Sequence, residues 1–405
     1  MRGRRLLLGG TAAVITAAVL LLGGVFAGEP AAVGARPISV AGLDRQANAF
    51  AQRARATGDA AYYDKAEAVY RRALRSAPDD LAATVGRGAL ALSRHEFRDA
   101  LALGRRALEL SPTTAAAYGV VGDALVELGR YQEAFATFDQ MAALKPSVSS
   151  YARVSYAREL LGDVPGATEA MRYAVDAAAG EPEALAWSHT QLGKLYWSHG
   201  RVADAAREYR LALRVRRGYP AALDALAQVE AANGHLARAI GLSRRAAEVL
   251  PLPQYVANLG DLLRARGDGA MARRQYTLVA AIARLQRAGG VNVDLETTLF
   301  DVDHGVRLRQ TVALARAARS ERPSIDGDDV LAWALARNGR CGEALRFSKR
   351  ALRLGTRDAL KDFHRGMIER CLGHPAEARS WFRSALDLNP YFSVIWAPVA
   401  RRYAS

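Results

Sequence analysis

Residues 115–148 read AAAYGVVGDALVELGRYQEAFATFDQMAALKPSV. The small residues Gly122 and Ala134 lie inside two apolar stretches, the large Phe138 follows, and Pro146 closes the segment. Small facing side chains let two helices cross closely. Proline ends a helix because it lacks the backbone N–H that continues the hydrogen-bond ladder. The segment therefore predicts a hairpin of two antiparallel helices.

The same pattern recurs every 34 residues. This spacing relates three prolines and three alanines, namely Pro78, Pro112, Pro146, Ala66, Ala100 and Ala134. Units continue to Asn389-Pro390, and the unit at about 292–323 departs from the pattern. Each hairpin leaves an apolar face that only the next hairpin can cover. We therefore expect an all-α solenoid of about ten helix pairs over residues 47–390, closed by a capping helix at 391–405.

The repeat resembles the tetratricopeptide repeat family. The positions that carry the resemblance are Tyr118, Gly122, Leu125, Gly129, Ala134, Phe138 and Pro146. Val121 and Met141 replace a leucine and an alanine of the family pattern, and both keep the position apolar. The resemblance implies a tetratricopeptide-type α-solenoid that binds a protein or peptide partner, with no catalytic activity and no cofactor.

From residue 292 onward the chain also resembles exported tetratricopeptide proteins of actinomycete-like bacteria. The shared segments are Asp303-His304-Gly305, Arg322-Pro323-Ser324, Ala332-Trp333-Ala334-Leu335, Asn338-Gly339-Arg340 and the stretch from His364 to Ile368. This resemblance implies export but no known reaction, so the role of the Asp-His-Gly segment stays open.

The N-terminus predicts export. Three arginines within residues 1–5 precede an uncharged apolar run at residues 6–28, which at ~1.5 Å per residue is long enough for a ~30 Å hydrocarbon core. Basic residues hold their end of a span in the cytoplasm, so the repeats would lie outside it. Either residues 1–28 stay as a membrane anchor, or signal peptidase cuts after Ala27 and the protein is secreted. Residues 29–46 are predicted to be a linker.

The first helix of each pair is expected to line the concave side of the solenoid. Its inward-facing positions in the middle units, projected on a helical period, are Asp123, Glu127, Tyr156, Glu159, Trp187, Lys194, Trp197, Asp224, Gln228, Asp261 and Arg264. Five are acidic and two are basic, although the whole chain has a net charge of +15. We interpret this face as a mildly acidic groove with aromatic anchors, suited to a basic or neutral peptide. The alternative is a solvated face without a ligand.

Two other functions fit parts of the sequence. Asp301, Asp303 and His304 could form a metal-binding or enzymatic site in the divergent unit at 292–323, although acidic residues beside a helix end more often cap it. The second helices carry pairs of arginines that could bind an anionic wall polymer or lipid. The sequence holds no phosphate-binding loop and no nucleophile elbow. Export would also remove nucleic acid as a partner, and the oligomeric state is left open.

Cys341 and Cys371 are the two cysteines of the chain. We expect Cys341 at the start of a second helix and Cys371 at the end of the next unit's first helix, so that stacking brings both to the same side. In an oxidising compartment they could form a disulfide. The alternative is two reduced thiols that pack as small apolar residues.

Overall fold

The structure is a computed structural model and describes residues 39–405. These residues form 21 α-helices. In chain order they are α1 (Val40–Thr57), α2 (Ala61–Ser76), α3 (Leu81–Ser93), α4 (Phe97–Leu110), α5 (Ala115–Glu127), α6 (Tyr131–Leu144), α7 (Val148–Leu160), α8 (Val164–Ala177), α9 (Pro182–Ser198), α10 (Val202–Val215), α11 (Pro220–Ala232), α12 (Leu236–Val249), α13 (Pro253–Ala265), α14 (Gly269–Ala288), α15 (Asp294–His304), α16 (Leu308–Glu321), α17 (Ile325–Arg337), α18 (Cys341–Ala351), α19 (Ala359–Cys371), α20 (Pro375–Leu388) and α21 (Ala397–Ala404).

Consecutive helices pair into hairpins, from α1–α2 to α19–α20, and the hairpins stack side by side. The described residues are therefore an all-α solenoid, as predicted, and the expected number of about ten pairs is roughly met. Two boundaries differ from prediction. The first helix begins at Val40, inside the predicted linker, because the Ser39 hydroxyl caps it by accepting from the amide of Gly42. At the C-terminus only Ala397–Ala404 is helical, and residues 391–396 are irregular.

Within a hairpin, a small residue of the first helix faces a ring of the second. A Cβ atom at Gly122 would lie 2.2 Å from the Phe138 ring, and one at Gly193 would lie 2.4 Å from the Tyr209 ring. Both rings are buried. The expected packing of small against large side chains is thus confirmed, since the aromatic ring occupies the space that any larger side chain would need.

The solenoid winds so tightly that its second half lies against its first. Gly129, in the turn between α5 and α6, meets the backbone of Pro323, between α16 and α17. A Cβ at Gly129 would lie 2.4 Å from the Pro323 carbonyl oxygen. Gly162, in the turn between α7 and α8, faces Gly355 in the same way. A Cβ at Gly162 would lie 2.6 Å from the Gly355 carbonyl oxygen.

Hydrogen bonds extend this contact between the two halves of the solenoid to the hairpins on either side. The amide of Asn292 donates to the carbonyl of Arg94 at 3.0 Å, and the side-chain amide of Asn389 donates to the carbonyl of Trp197 at 2.8 Å. The loops that precede α15, α17, α19 and α21 therefore rest on the second to fifth hairpins, at or beside the turn between their helices. We call this edge the inter-turn contact.

One junction of the stack is open. At eight of the nine junctions between described hairpins, the second helix packs along the first helix of the next hairpin, but α14 and α15 do not pack in this way. The helix α14 ends at Ala288, which agrees with its predicted extension to about Arg287. Side chains bridge the gap instead, since Phe300 of α15 packs beside Val279 of α14 and against the ring of Tyr276, with centroids 5.7 Å apart.

Cys341 and Cys371 are bonded as a disulfide, with Cα atoms 6.0 Å apart. Cys341 is the first residue of α18 and Cys371 is the last of α19. The bond therefore connects the last two hairpins.

Among residues 39–405 no helix has the length and apolar character needed to cross a membrane. The predicted apolar run at 6–28 lies outside the described residues.

Candidate functional site

The winding encloses a central cavity of about 470 Å³ on the concave side. First helices line it, as expected: α7, α9, α11 and α13 on one side, and α17 and α19 on the other. Eight of the eleven residues predicted to face inward border this cavity, namely Tyr156, Glu159, Trp187, Lys194, Trp197, Asp224, Gln228 and Asp261. Four consecutive hairpins thus bring their predicted positions together.

Asp123 and Glu127 do not line the cavity, in contrast to the prediction. The Asp123 carboxylate is buried and accepts two hydrogen bonds from the Arg153 guanidinium, at 2.9 and 2.6 Å. Glu127 is buried against Arg322, which comes from the facing side of the inter-turn contact. Arg153 comes from α7 of the next hairpin and Arg322 from across the inter-turn contact, so neither carboxylate is open to a ligand.

Arg264 differs from the prediction as well. It borders a separate cleft between α14 and α15 rather than the central cavity. The prediction assumed that α15 packs on α14, and that junction is the open one.

The C-terminal segment at 391–396 forms a wall of the cavity that helix projection did not predict. Val394 packs across the cavity against an apolar cluster that includes Leu259 of α13. The Trp396 indole donates to Asp303 of α15 at 2.9 Å. Phe392 and Trp396 were expected only to cover the last hairpin. They do pack in that core, against Phe363, but the segment also reaches the opposite side because the coil is narrow.

Three charged groups characterise the cavity. Burial raises the pKa of Glu159 to about 7, and the nearby charge of Asp358 adds to this effect. Burial likewise raises the pKa of Asp224 to about 7, although hydrogen bonds from Asn258 and Ser243 oppose it. Burial lowers the pKa of Lys194, against the attraction of Asp224 and Glu159. Within residues 39–405, Lys194 and Glu159 form neither a hydrogen bond nor an ion pair.

The other carboxylates of the cavity are paired within the protein. The ammonium group of Lys361 lies 2.8 Å from an Asp326 oxygen and 2.6 Å from an Asp358 oxygen. Asp329 bonds to Nδ1 of His364 at 2.9 Å. Since these groups neutralise one another, a ligand would meet the charges of Glu159, Asp224 and Lys194, together with the exposed Arg357 that also borders the cavity.

The candidate residues of the divergent unit point to different partners. Asp301 accepts from Arg307, and Asp303 accepts from the indoles of Trp333 and Trp396. The predicted alternative of a metal site is not assembled in the part of the chain that the structure describes, where no three His, Cys, Asp or Glu side chains converge.

His304 joins α15 to the rest of the array. Its Nδ1 donates to the carbonyl of Phe300 and its Nε2 donates to the Asp261 carboxylate, both at 2.8 Å. An imidazole that donates from both nitrogens is protonated. Burial alone would lower the pKa of His304, but the hydrogen bond and charge of Asp261 outweigh burial and raise it. The ion pair spans the open junction.

Comparison with known proteins agrees with this architecture. The tetratricopeptide repeat family model matches residues 48–115 and 88–149. Residues 48–149 carry tetratricopeptide repeats. A human relative, tetratricopeptide repeat protein 36, is 34% identical over 110 residues, which are 27% of this chain. The chain spans about half of that relative's length, 53%.

Several solved structures are similar to the chain. YrrB, described as having an unusual peptide-binding site, is 20% identical and aligns over 49% of this chain and 97% of its own, with a TM-score of 0.32. TTC0263 of Thermus thermophilus is 21% identical over 48% of this chain and 99% of its own, with a TM-score of 0.42. Yeast Tom70 is 12% identical over 90% and 94%, with a TM-score of 0.37.

Proposed function

We propose that this tetratricopeptide repeat protein is an interaction scaffold that binds a segment of a partner protein in the central cavity. The observation that carries the proposal is the convergence of Trp187, Trp197 and Tyr156 with the unpaired Lys194 and Glu159 on one enclosed surface. Half-buried aromatic side chains provide large contact areas at a low entropic cost, and unpaired charges select the orientation of a ligand.

The chemistry of the cavity favours a basic or neutral peptide. Glu159 and Asp224 offer carboxylates to a Lys or Arg side chain, and Lys194 can donate to a peptide carbonyl. Carboxamides of Gln191, Gln228 and Asn258 line the same surface, and they can bond to backbone amides of an extended segment. A narrow cavity of this kind admits a peptide segment and excludes a folded domain.

Crosslinking and co-purification from native membranes test the proposal. Replacing Trp187 and Trp197 with alanine should weaken partner capture by ~2 kcal/mol or more of binding free energy, with helicity nearly unchanged. Trp381→Ala is the matched control, because Trp381 is also partly exposed but lies outside the cavity, under Arg365. Equal capture by all variants, or loss of helicity in the double variant, would contradict the proposal.

We also propose that residues 1–28 export the repeats, either as an anchor or as a signal cut after Ala27. Support comes from the three arginines ahead of one uncharged run. A reporter that is active only outside the cytoplasm, fused after Ser405, should be active, and the size of the mature chain separates the two alternatives. A stable, full-length but inactive fusion would refute export.

A further inference from the structure

The open junction between α14 and α15 leaves a second cavity, separate from the central one. This α14–α15 cleft has a volume of about 860 Å³ and follows one face of α14 from Gly269 to Arg287. Phe300 and Val306 of the divergent unit form its other side. Elsewhere in the described array a neighbouring helix covers the equivalent face.

Positive charge dominates the cleft. Five arginines border it, namely Arg264, Arg273, Arg284, Arg287 and Arg307, against one carboxylate, Asp301. Asp301 already bonds to Arg307. Arg273 and Arg284 are exposed and form no ion pair among residues 39–405. His304 at the end of the cleft is paired with Asp261, and Arg287 lies 3.5 Å from Asp294, so neither adds unpaired charge.

The arrangement of the charges distinguishes between ligands. Arg273 and Arg284 are eleven positions apart on one helix, which at ~1.5 Å per residue separates their Cα atoms by about 16 Å. A single small anion cannot contact both. Between and beside the arginines the accessible surface is apolar, formed by the exposed Ala280 and Val306 with the half-buried Phe300. Ala272 and Val279 lie buried beneath it. A phosphate polymer would gain nothing from that surface.

We infer that the α14–α15 cleft binds an acidic amphipathic peptide segment. Its apolar side chains cover Ala280, Phe300 and Val306, and its carboxylates pair with Arg273 and Arg284. Guanidinium groups bind carboxylates through two parallel hydrogen bonds, so a match of spacing adds specificity to attraction. The charge of this ligand is opposite to the one that suits the central cavity. The two sites therefore take different segments, and the inference does not depend on the proposed function.

The test measures binding of a fluorescent amphipathic peptide of roughly 18 residues, with leucines on one face and glutamates along its edges, a length of about five helical turns. The full chain should bind it, more weakly as salt rises. R273E/R284E should weaken binding by about tenfold or more. R244E/R245E is the matched control, because these exposed arginines of α12 lie outside the cleft and the charge change is the same. It should leave affinity within about twofold.

Two further probes distinguish this site from nonspecific charge attraction and from the central cavity. A scrambled peptide of the same composition should bind about tenfold more weakly, since it has no apolar face. Replacing Trp187 and Trp197 should leave the affinity unchanged, because they lie in the central cavity. The inference is overturned if the amphipathic peptide does not bind, if both arginine variants lose affinity equally, or if the scrambled peptide and inorganic polyphosphate bind as tightly as the amphipathic one.

Discussion

At the scale of single residues, Arg322 shows how the coil depends on buried charge. Its guanidinium is buried, pairs with Glu127 and lies 2.6 Å from Glu296. It also lies over the Phe97 ring, 5.3 Å from the ring centroid. Three segments far apart in sequence thus share one cation. Removing one member of such a group leaves the others buried and uncompensated.

Arg322→Leu should therefore destabilise the protein by about 3–5 kcal/mol in urea unfolding. Arg98→Ala removes an ion pair at the same edge, but both Arg98 and its partner Glu321 are more than half exposed, so it should cost at most about 1 kcal/mol. Similar losses for the two variants would show that the buried pair has no special role.

The raised pKa of Glu159 predicts that the stability of the protein depends on pH. Its pKa rises from 4.5 to about 7 on folding, so the folded chain keeps a proton that the unfolded chain has lost. This contribution is fully present below pH 4.5 and is lost as pH rises through about 7.

Glu159→Gln should flatten that part of the stability curve and be the more stable protein at pH 8, by on the order of 2 kcal/mol. The exposed Glu377→Gln serves as control. A curve for Glu159→Gln that runs parallel to the native one from pH 4 to 8 would refute the assignment.

At the scale of helices and turns, the inter-turn contact depends on glycine. Gly162 has φ of +76°, and a Cβ there would lie 2.6 Å from the Gly355 carbonyl oxygen. Gly234 occupies the equivalent turn between α11 and α12 with φ of +80°, but nothing lies within 4 Å of its Cβ position. The two positions share a left-handed backbone conformation, which glycine adopts without strain, and differ only in whether a neighbouring loop lies against them.

Gly234→Ala should cost about 1–2 kcal/mol, the penalty for a left-handed alanine. Gly162→Ala should cost about 1–3 kcal/mol more, because the backbone must move away from the facing loop. Hydrogen exchange should show the additional opening around residues 352–358. If the two variants are equally stable, the inter-turn contact contributes little.

The helices and their pairing could be predicted from sequence, because they depend on residues close together in the chain. The period of 34 and the pairing of small with large residues predict the hairpins, and helical projection predicts eight cavity residues. The partner of Glu127 could not be predicted in the same way. Arg322 reaches Glu127 from 195 positions away, and such proximity results from small rotations that accumulate over successive repeats. The wall formed by residues 391–396 has the same origin.

At the scale of the whole molecule, the disulfide connects stability to location. Cys341 and Cys371 close a segment with a sequence separation of 30, and by chain entropy such a loop contributes ~3–4 kcal/mol. Such a bond persists in an oxidising compartment, where export would place the repeats.

Reduction of the purified protein should lower the urea midpoint, and Cys341→Ser/Cys371→Ser should reproduce that lower midpoint and no longer respond to reductant. Denatured, unreduced protein should contain no free thiol. Two thiols per chain, or a midpoint that is insensitive to reductant, would exclude the bond in solution.

The inter-turn contact also has a mechanical meaning. A solenoid whose successive superhelical turns do not touch lengthens gradually under force, one hairpin at a time. In this protein, successive superhelical turns are in contact through Gly129, Gly162 and the hydrogen bond from Asn389 to Trp197. Such a solenoid keeps its length under force until the inter-turn contact breaks, and then lengthens abruptly. Held at one end and pulled at the other, the protein would resist small forces and yield at a threshold.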